Sequence, residues 1–138
     1  MDIHTIKEQL KRTAECHKEI IALYLFGSVV IKAHPEDIDI AVLADEKQIG
    51  PGRYPLQYVG SLTSDLVDAV QSDDVDLVLL NNASPVLCMQ VLRNGTLVFE
   101  RDRRAVAAFM VRTMGTYHDL KMIRRPIERQ ILKGRIYG

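Results

Sequence analysis

The feature that most limits the possible folds is an unbroken apolar run, Ile20–Phe26, which ends at Gly27. Such a run is too short for a typical buried helix, whereas it matches the length of a strand that is buried in a sheet. Gly27 stops the run, and a polar, proline-containing loop follows around residues 33–36. The run therefore predicts a buried strand that ends at Gly27.

Further helices and strands are predicted by the spacing of the apolar residues. Apolar residues three and four positions apart predict helices over 3–16, 53–71, 83–93 and from 102 onwards. Ser84 and Pro85 suit the start of the third helix, and Gly95 suits its end. Pro126 is expected to kink or break the last helix, because proline lacks the amide hydrogen that continues the hydrogen-bond ladder. Short β-type runs predict strands over 37–42, 75–80 and 96–99.

The length and composition fit one compact domain. The chain has 138 residues, of which 47% are apolar, so that one core can be buried. We expect residues 1–138 to form a single domain with 101–138 as a basic helical extension. No uncharged apolar stretch reaches the roughly 18 residues of a membrane span, and the charged N-terminus is unlike a signal peptide, which predicts a cytoplasmic protein. Cys16 and Cys88 lack the spacing of a disulfide framework or a zinc site, and we expect both to be packing residues.

The charges are distributed unevenly along the chain. Residues 1–100 carry 8 Lys and Arg against 15 Asp and Glu, a net charge of −7, whereas residues 101–138 carry 10 against 3, a net charge of +7. An acidic body can concentrate cations, and a basic tail can meet a phosphate, a nucleic acid or an acidic protein surface. The tail can equally be a solvated helix that only balances the charge of its own domain.

Three aspartates are the strongest candidates for a chemical role. Asp37 and Asp39 lie two positions apart on a predicted strand, so their side chains project from the same face about 7 Å apart. Asp76, on the predicted strand 75–80, can complete the cluster from a neighbouring strand. Three carboxylates at one point repel each other unless a hard cation offsets their charge, and such oxygen ligands favour magnesium or manganese. The acids therefore predict a divalent metal site.

Gly27 and Ser28 follow the buried strand at the point where the chain turns. A glycine here lets a phosphate approach the backbone, and Ser28 adds a hydroxyl donor. Taken singly, a pair of acids on a strand is often only a solvent face, and a Gly-Ser pair is usually only a turn. Their order and spacing together predict a site that holds a nucleoside triphosphate between Gly-Ser and bound metal, as phosphoryl and nucleotidyl transfer require.

These motifs resemble those of the minimal nucleotidyltransferases of the DNA polymerase β superfamily, over nearly the whole chain. Segments 25–28, 37–43 and 74–78 are similar to the family's Gly-Ser motif, its paired acids and its third acid, which corresponds to Asp76 and not to Asp74. The resemblance implies a DNA polymerase β-like α+β fold (α/β, two layers), in which a small mixed sheet carries packed helices and a long C-terminal helix. It implies the site residues as well, with Asp37, Asp39 and Asp76 catalytic and metal-binding and Gly27 and Ser28 nucleotide-binding.

Segments 74–78 and 83–91 look more narrowly like the antitoxin branch that is paired with HEPN-domain ribonuclease toxins. That resemblance implies a protein adenylyltransferase that moves AMP from ATP to a tyrosine of its toxin, with Mg²⁺ or Mn²⁺ as cofactor and the toxin as partner. In-line attack at the α-phosphate would release pyrophosphate, and Asp76 could help to accept the proton of the attacking hydroxyl. Nucleic acid is not expected as the direct substrate.

One departure from the family's pattern leaves alternatives open. Between Ser28 and Asp37 the chain has 8 residues, which is shorter than usual, and Val29–Lys32 replaces the glycine and the polar residues often found after Gly-Ser. Every acid is retained, which favours an active enzyme. The alternative is a non-catalytic module that neutralises its partner by binding alone. Nucleotide transfer to a small molecule is a weaker option, because a substrate domain for it would normally need a longer chain.

Overall fold

The computed structural model describes residues 2–27, 37–49 and 55–137, with side chains up to Lys121. The strands are β1 (Ile20–Phe26), β2 (Ile38–Ala44), β3 (Val75–Leu79) and β4 (Thr96–Glu100). The helices are α1 (Ile3–Cys16), α2 (Glu46–Ile49), α3 (Pro55–Val70), α4 (Pro85–Asn94) and α5 (Arg103–Tyr137).

The four strands form one mixed sheet in the order β3-β2-β1-β4. β1 pairs antiparallel with both β2 and β4, whereas β2 pairs parallel with β3. The apolar run that predicted a buried strand therefore lies in the interior of the sheet with a neighbour on each side. The segment predicted as a short strand over 96–99 is the edge strand β4.

Helices cover both faces of this sheet. Ile38, Ile40 and Val42 of β2 belong to a buried cluster with α1 and α3. Ala41 and Leu43, which point to the opposite face because successive residues of a strand alternate, belong to a second buried cluster with α4 and α5. The prediction of a small mixed sheet with packed helices and a long C-terminal helix is confirmed. The sheet has a layer of helices on each face, which makes three layers, whereas the sequence had predicted two.

The helix predictions hold except in two places. α5 runs as one helix from Arg103 to Tyr137, so the prediction of a break at Pro126 is wrong, whereas a kink at that position stays a prediction. A proline removes one hydrogen bond and crowds the carbonyl four residues earlier, but the hydrogen bonds on either side of it can continue the helix. The helix α2 was not predicted, because its four residues are too few to show a periodicity. Residues 53 and 54 of the predicted helix 53–71 lie outside the described residues.

The ends of the helices follow from local sequence. The Asp2 carboxylate accepts a hydrogen bond of 2.8 Å from the amide of Thr5 at the start of α1. The Ser84 hydroxyl accepts one of 3.2 Å from the amide of Leu87 at the start of α4. Both bonds satisfy amides that have no partner within their own helix. The predicted capping of α4 by Ser84 is confirmed.

The two cysteines differ in their surroundings. Both are free thiols; Cys88 is buried between β3 and α4, as predicted, whereas Cys16 is exposed, so its prediction as a packing residue is wrong. Cys16 lies at the last position of α1, where the apolar stripe of that helix has already ended. Among the described helices, none combines the length and the apolar character needed to cross a membrane.

Arg101 connects the end of α1 to the first residue of β1. Its guanidinium donates hydrogen bonds of 2.9 Å to the carbonyls of Ile20 and Ala14, and longer ones to those of Glu15 and His17. The last carbonyls of a helix have no amide partner in their own helix and carry a partial negative charge, so a cation that binds them stabilises that end. Arg101 thus fixes α1 to the sheet.

We expect the Arg101→Ala variant to lose about 1–3 kcal/mol of unfolding free energy, the usual effect of removing a charged hydrogen-bond donor from several acceptors. Arg101→Lys should recover less than half of this loss, because a lysine cannot reproduce the planar fork of donors. Urea unfolding of both variants, with the exposed Arg104→Ala as the matched control, measures the effect. A loss no larger than that of Arg104→Ala would show that Arg101 does not fix the helix.

His17 lies between two hydrogen-bond acceptors. Its Nδ1 is 2.7 Å from the carbonyl oxygen of Thr13, and its Nε2 is 3.0 Å from the carboxylate of Asp65 on α3. Neither partner can donate, so both bonds are made only when both ring nitrogens carry hydrogen. Burial lowers the pKa of His17, but its two hydrogen bonds and the nearby negative charges outweigh that effect and raise the pKa above its ordinary value.

The raised pKa of His17 predicts a pH-dependent contribution to stability. A group that binds its proton more tightly in the folded state stabilises fully below its unfolded pKa, about 6.5, and loses this contribution as the pH rises through the folded value. We expect His17→Gln to cost up to about 1 kcal/mol near pH 5.5 and less near pH 8.5, since the Asp65 carboxylate is half exposed. Urea unfolding at both pH values, with His4→Gln as control, measures this; an equal cost at both would contradict it.

Candidate functional site

The sheet places Asp39 between the end of β1 and the start of β3. In the antiparallel pairing Asp39 is opposite Phe26, and in the parallel pairing it is opposite Asp76. Neighbouring strands lie about 4.8 Å apart, so the two aspartates are adjacent on the sheet. Asp37 comes just before β2, where the amide of Ile38 donates a hydrogen bond of 2.8 Å to the carbonyl of Asp74. Three aspartates from two separate parts of the chain therefore lie at one end of the sheet.

The electrostatics of Asp39 show that these acids affect one another. Partial burial raises the pKa of the Asp39 carboxyl, and the negative charges of Asp76 and of Asp37 raise it further. Asp74, although it is close in sequence, is not among the groups that raise it. Asp76 is thus the residue of β3 that faces Asp39, as its position in the family motif suggested.

Gly27 contacts the same carboxylate from the end of β1. Its φ angle is +75°, in the left-handed region that favours glycine. A Cβ atom at this position would collide with the carboxylate oxygen Oδ2 of Asp39 and would lie 3.1 Å from its Cγ. The sequence had predicted that Gly27 makes room for a phosphate. That role stays a prediction; the structure shows that the space which a side chain at position 27 would need is filled by the Asp39 carboxylate, so a glycine here lets that acid take its position.

Ser28, which was predicted to bind the nucleotide, lies outside the described residues, as does the loop from 29 to 36. The structure therefore brings together Gly27, Asp37, Asp39 and Asp76 out of the five predicted site residues. The stretch between β1 and β2 spans residues 27–37, which is too long for a hairpin turn that fixes the register of the two strands, so this register could not be found from the sequence. The contact between Gly27 and Asp39 was missed for this reason.

The donor atoms of the cluster suit a hard divalent cation. Carboxylate oxygens are the ligands that magnesium and manganese prefer, and a cation would remove the repulsion that raises the pKa of Asp39. Within the described ranges, no group of three or more His, Cys, Asp or Glu side chains is arranged to hold an ion by itself. Mg²⁺ usually binds one or two carboxylates and completes its shell with substrate phosphates and water. The cluster fits a metal site that is completed by its substrate.

A glycine with a positive φ beside a group of acids at the end of a mixed sheet is the arrangement expected of a nucleotidyltransferase. The family model described as polymerase beta, nucleotidyltransferase matches residues 8–104, and the chain belongs to this family. Over 107 residues it is 36% identical to the protein adenylyltransferase MntA of Shewanella oneidensis strain MR-1, an alignment that covers 76% of this chain and 71% of MntA.

Two solved structures with similar folds are of toxin-antitoxin complexes. A crystal structure of a toxin-antitoxin with AMP-PNP has a TM-score of 0.72 and 30% identity, covering 91% of this chain and 98% of the other. A tri-AMPylated Shewanella oneidensis HEPN toxin in complex with its MNT antitoxin gives a TM-score of 0.71 and 29% identity, covering 94% and 98% of the two chains. The predicted nucleotidyltransferase fold and family are confirmed.

Proposed function

We propose that this chain is a Mg²⁺-dependent protein adenylyltransferase of the cytoplasm that transfers AMP from ATP to a tyrosine hydroxyl of a HEPN-domain ribonuclease toxin. By this modification it acts as the antitoxin of the pair. The proposal is supported by its similarity to MntA, which is named a protein adenylyltransferase, and to an antitoxin whose HEPN toxin carries AMP. The whole of 1–138 serves as one nucleotidyltransferase domain, with the basic segment 101–138 as a helical extension available to the partner.

The observation that carries this proposal is the register that places Asp39 between Gly27 and Asp76. Asp37, Asp39 and Asp76 would hold divalent cations. A bound Mg²⁺ would supply charge neutralisation for the triphosphate and a lowered pKa for the attacking hydroxyl. Gly27 and Ser28 would lie beside the β- and γ-phosphates, which leave as pyrophosphate. Asp76, which like Asp37 is exposed, would accept the proton of the tyrosine hydroxyl.

A direct test is intact mass spectrometry of the partner. The chain is incubated with a purified HEPN toxin, ATP and Mg²⁺, and the mass of the toxin is measured. We expect a gain of one or more AMP units, released pyrophosphate in equal amount, and no gain with EDTA. Toxin whose mass is unchanged under all conditions would overturn the proposal.

A second candidate is a module that neutralises its toxin by binding alone. It is favoured by one observation, that the described side chains do not form a three-ligand metal group by themselves. The two candidates differ in their need for nucleotide. If ribonuclease activity is inhibited equally without ATP and Mg²⁺, the binding module is the correct description.

A further inference from the structure

A cavity of about 260 Å³ opens between α4, α5 and the far ends of β2 and β3. Its apolar walls are formed by Leu43, Leu80, Cys88 and Phe109, all of which are buried. We call it the α4–α5 pocket. Leu43 lies four residues beyond Asp39 on the same strand and the same face, which places the pocket about 13 Å from the acid cluster. Nothing in the nucleotidyltransferase site accounts for it.

Two charged side chains lie at the rim of the pocket. Glu46 and Arg112 are exposed at its rim, and no ion pair joins them; the ion pairs among the described residues are His17 with Asp65 and Arg103 with Glu100. Glu46 and Arg112 carry opposite charges beside one apolar cavity and are not paired with each other. Such charges are complementary to the two charges of a zwitterion.

One hydroxyl inside the pocket also lacks a partner. The side chain of Thr113 is only 6% exposed and lines the cavity. The hydroxyls of Thr13 and Thr63 donate to the carbonyl four residues earlier in their helices. Within the described part of the chain, Thr113 makes no such bond. A ligand in the pocket with its own polar atom would form a hydrogen bond with this hydroxyl in place of water.

Two further side chains of the pocket wall, Asn81 and Cys88, are already engaged by backbone groups. The amide group of Asn81 donates to the carbonyl of Ala44 at 2.7 Å and accepts from its amide at 2.9 Å, so it holds the ends of β2 and β3 together. The Cys88 thiol is directed at the carbonyls of Leu80 and Ala83, and burial raises its pKa. A thiol that stays protonated is a poor nucleophile, so Cys88 serves as part of the pocket wall and is not expected to react with a ligand.

The volume limits the size of the ligand. A cavity of about 150 Å³ in another protein binds benzene, so the 260 Å³ here leaves room for one ring and a short polar chain. We propose that the α4–α5 pocket binds a small zwitterion of this kind, a free aromatic amino acid. Its ring lies against Leu80 and Phe109, its carboxylate meets Arg112, and its ammonium group meets Glu46. A ring hydroxyl, where present, reaches Thr113.

Isothermal titration calorimetry with L-phenylalanine and two analogues tests this proposal. L-phenylalaninamide lacks the carboxylate, and 3-phenylpropionate lacks the ammonium group. We expect the native chain to bind L-phenylalanine at least about tenfold more tightly than either analogue, the effect of one charge-assisted hydrogen bond. The Asp37→Asn, Asp39→Asn double variant should bind L-phenylalanine as the native chain does, because the acid cluster lies at the other end of the strand.

Two substitutions at exposed rim positions test which side chain binds each charged group of the ligand. Arg112→Gln should weaken L-phenylalanine binding about tenfold but leave the binding of phenylalaninamide, which has no carboxylate, unchanged. Glu46→Gln should likewise weaken L-phenylalanine binding about tenfold but leave the binding of 3-phenylpropionate, which has no ammonium group, unchanged. Arg104→Gln and Glu8→Gln, which are exposed and away from the pocket, are the matched controls. No binding of any probe at about 10 mM, or equal losses for the rim and control variants, would overturn the proposal.

The ring hydroxyl gives a further check on orientation. Native protein should bind L-tyrosine more tightly than L-phenylalanine, and Thr113→Val, which keeps the shape of the side chain, should remove that preference. A preference for tyrosine that survives Thr113→Val would contradict the assigned position of the ring.

Discussion

AMP transfer by the Asp37→Asn, Asp39→Asn double variant is expected to be at least about a thousandfold slower than by the native chain. Both substitutions keep the size of the side chain and remove the charge that would hold a divalent cation, and a loss of about 4 kcal/mol in transition-state stabilisation corresponds to that factor. Single-turnover transfer of AMP to the toxin, followed by intact mass, measures the rate.

The fold should survive this double substitution. Partial burial and the neighbouring charges of Asp76 and Asp37 already raise the pKa of Asp39, so a neutral side chain at position 39 removes a cost of desolvation and of repulsion. The unfolding free energy without metal should be equal to that of the native chain or higher. Asp73→Asn with Asp74→Asn, two exposed acids just before β3, is the matched control and should keep full activity. Transfer at the native rate by the 37/39 variant would show that these acids are not catalytic.

Gly27→Ala is expected to damage both the site and the fold. The new Cβ would occupy the space of the Asp39 carboxylate, and the positive φ angle is unfavourable for alanine. We expect a fall in kcat of at least about tenfold and a loss of about 1–3 kcal/mol of unfolding free energy. Transfer kinetics and urea unfolding of the same preparation measure the two effects.

Gly60 provides the control for this substitution. A Cβ at Gly60, within α3, would meet nothing within 4 Å, and alanine favours a helix, so Gly60→Ala should stabilise the chain by up to about 1 kcal/mol and leave transfer unchanged. In an Asp39→Ala background, Gly27→Ala should cost only the strain of its φ angle, because the colliding carboxylate is gone. If Gly27→Ala is as stable and active as the native chain, Gly27 does not set the position of Asp39.

Much of the fold could be predicted because its elements carry local signals. The apolar run at β1, the alternation at β2 and the capping residues of α4 depend on residues close together in the sequence. The continuation of α5 beyond Pro126 could not be predicted in the same way. A proline lowers the stability of a helix at one position, and whether the helix continues depends on the residues on both sides of it.

The candidate site was predictable in its composition but not in its contacts. The order of Gly27, Asp37, Asp39 and Asp76 is visible in the sequence, whereas the contact between Gly27 and Asp39 depends on strand register. The hydrogen bonds of Arg101 and the α4–α5 pocket each join residues far apart in the chain. No local periodicity marks such contacts, and only the folded arrangement brings them together.

The central claim is that Asp37, Asp39 and Asp76 hold divalent cations together with a nucleotide. Anomalous diffraction from crystals grown with Mn²⁺ and AMP-PNP tests it most directly. We expect a manganese peak that contacts carboxylate oxygens of Asp37 and Asp39 at about 2.1 Å, with Asp76 turned toward the same ions and the nucleotide phosphates completing the shell. Bound nucleotide with no manganese at these acids, or with Asp76 directed away from them, would contradict the claim.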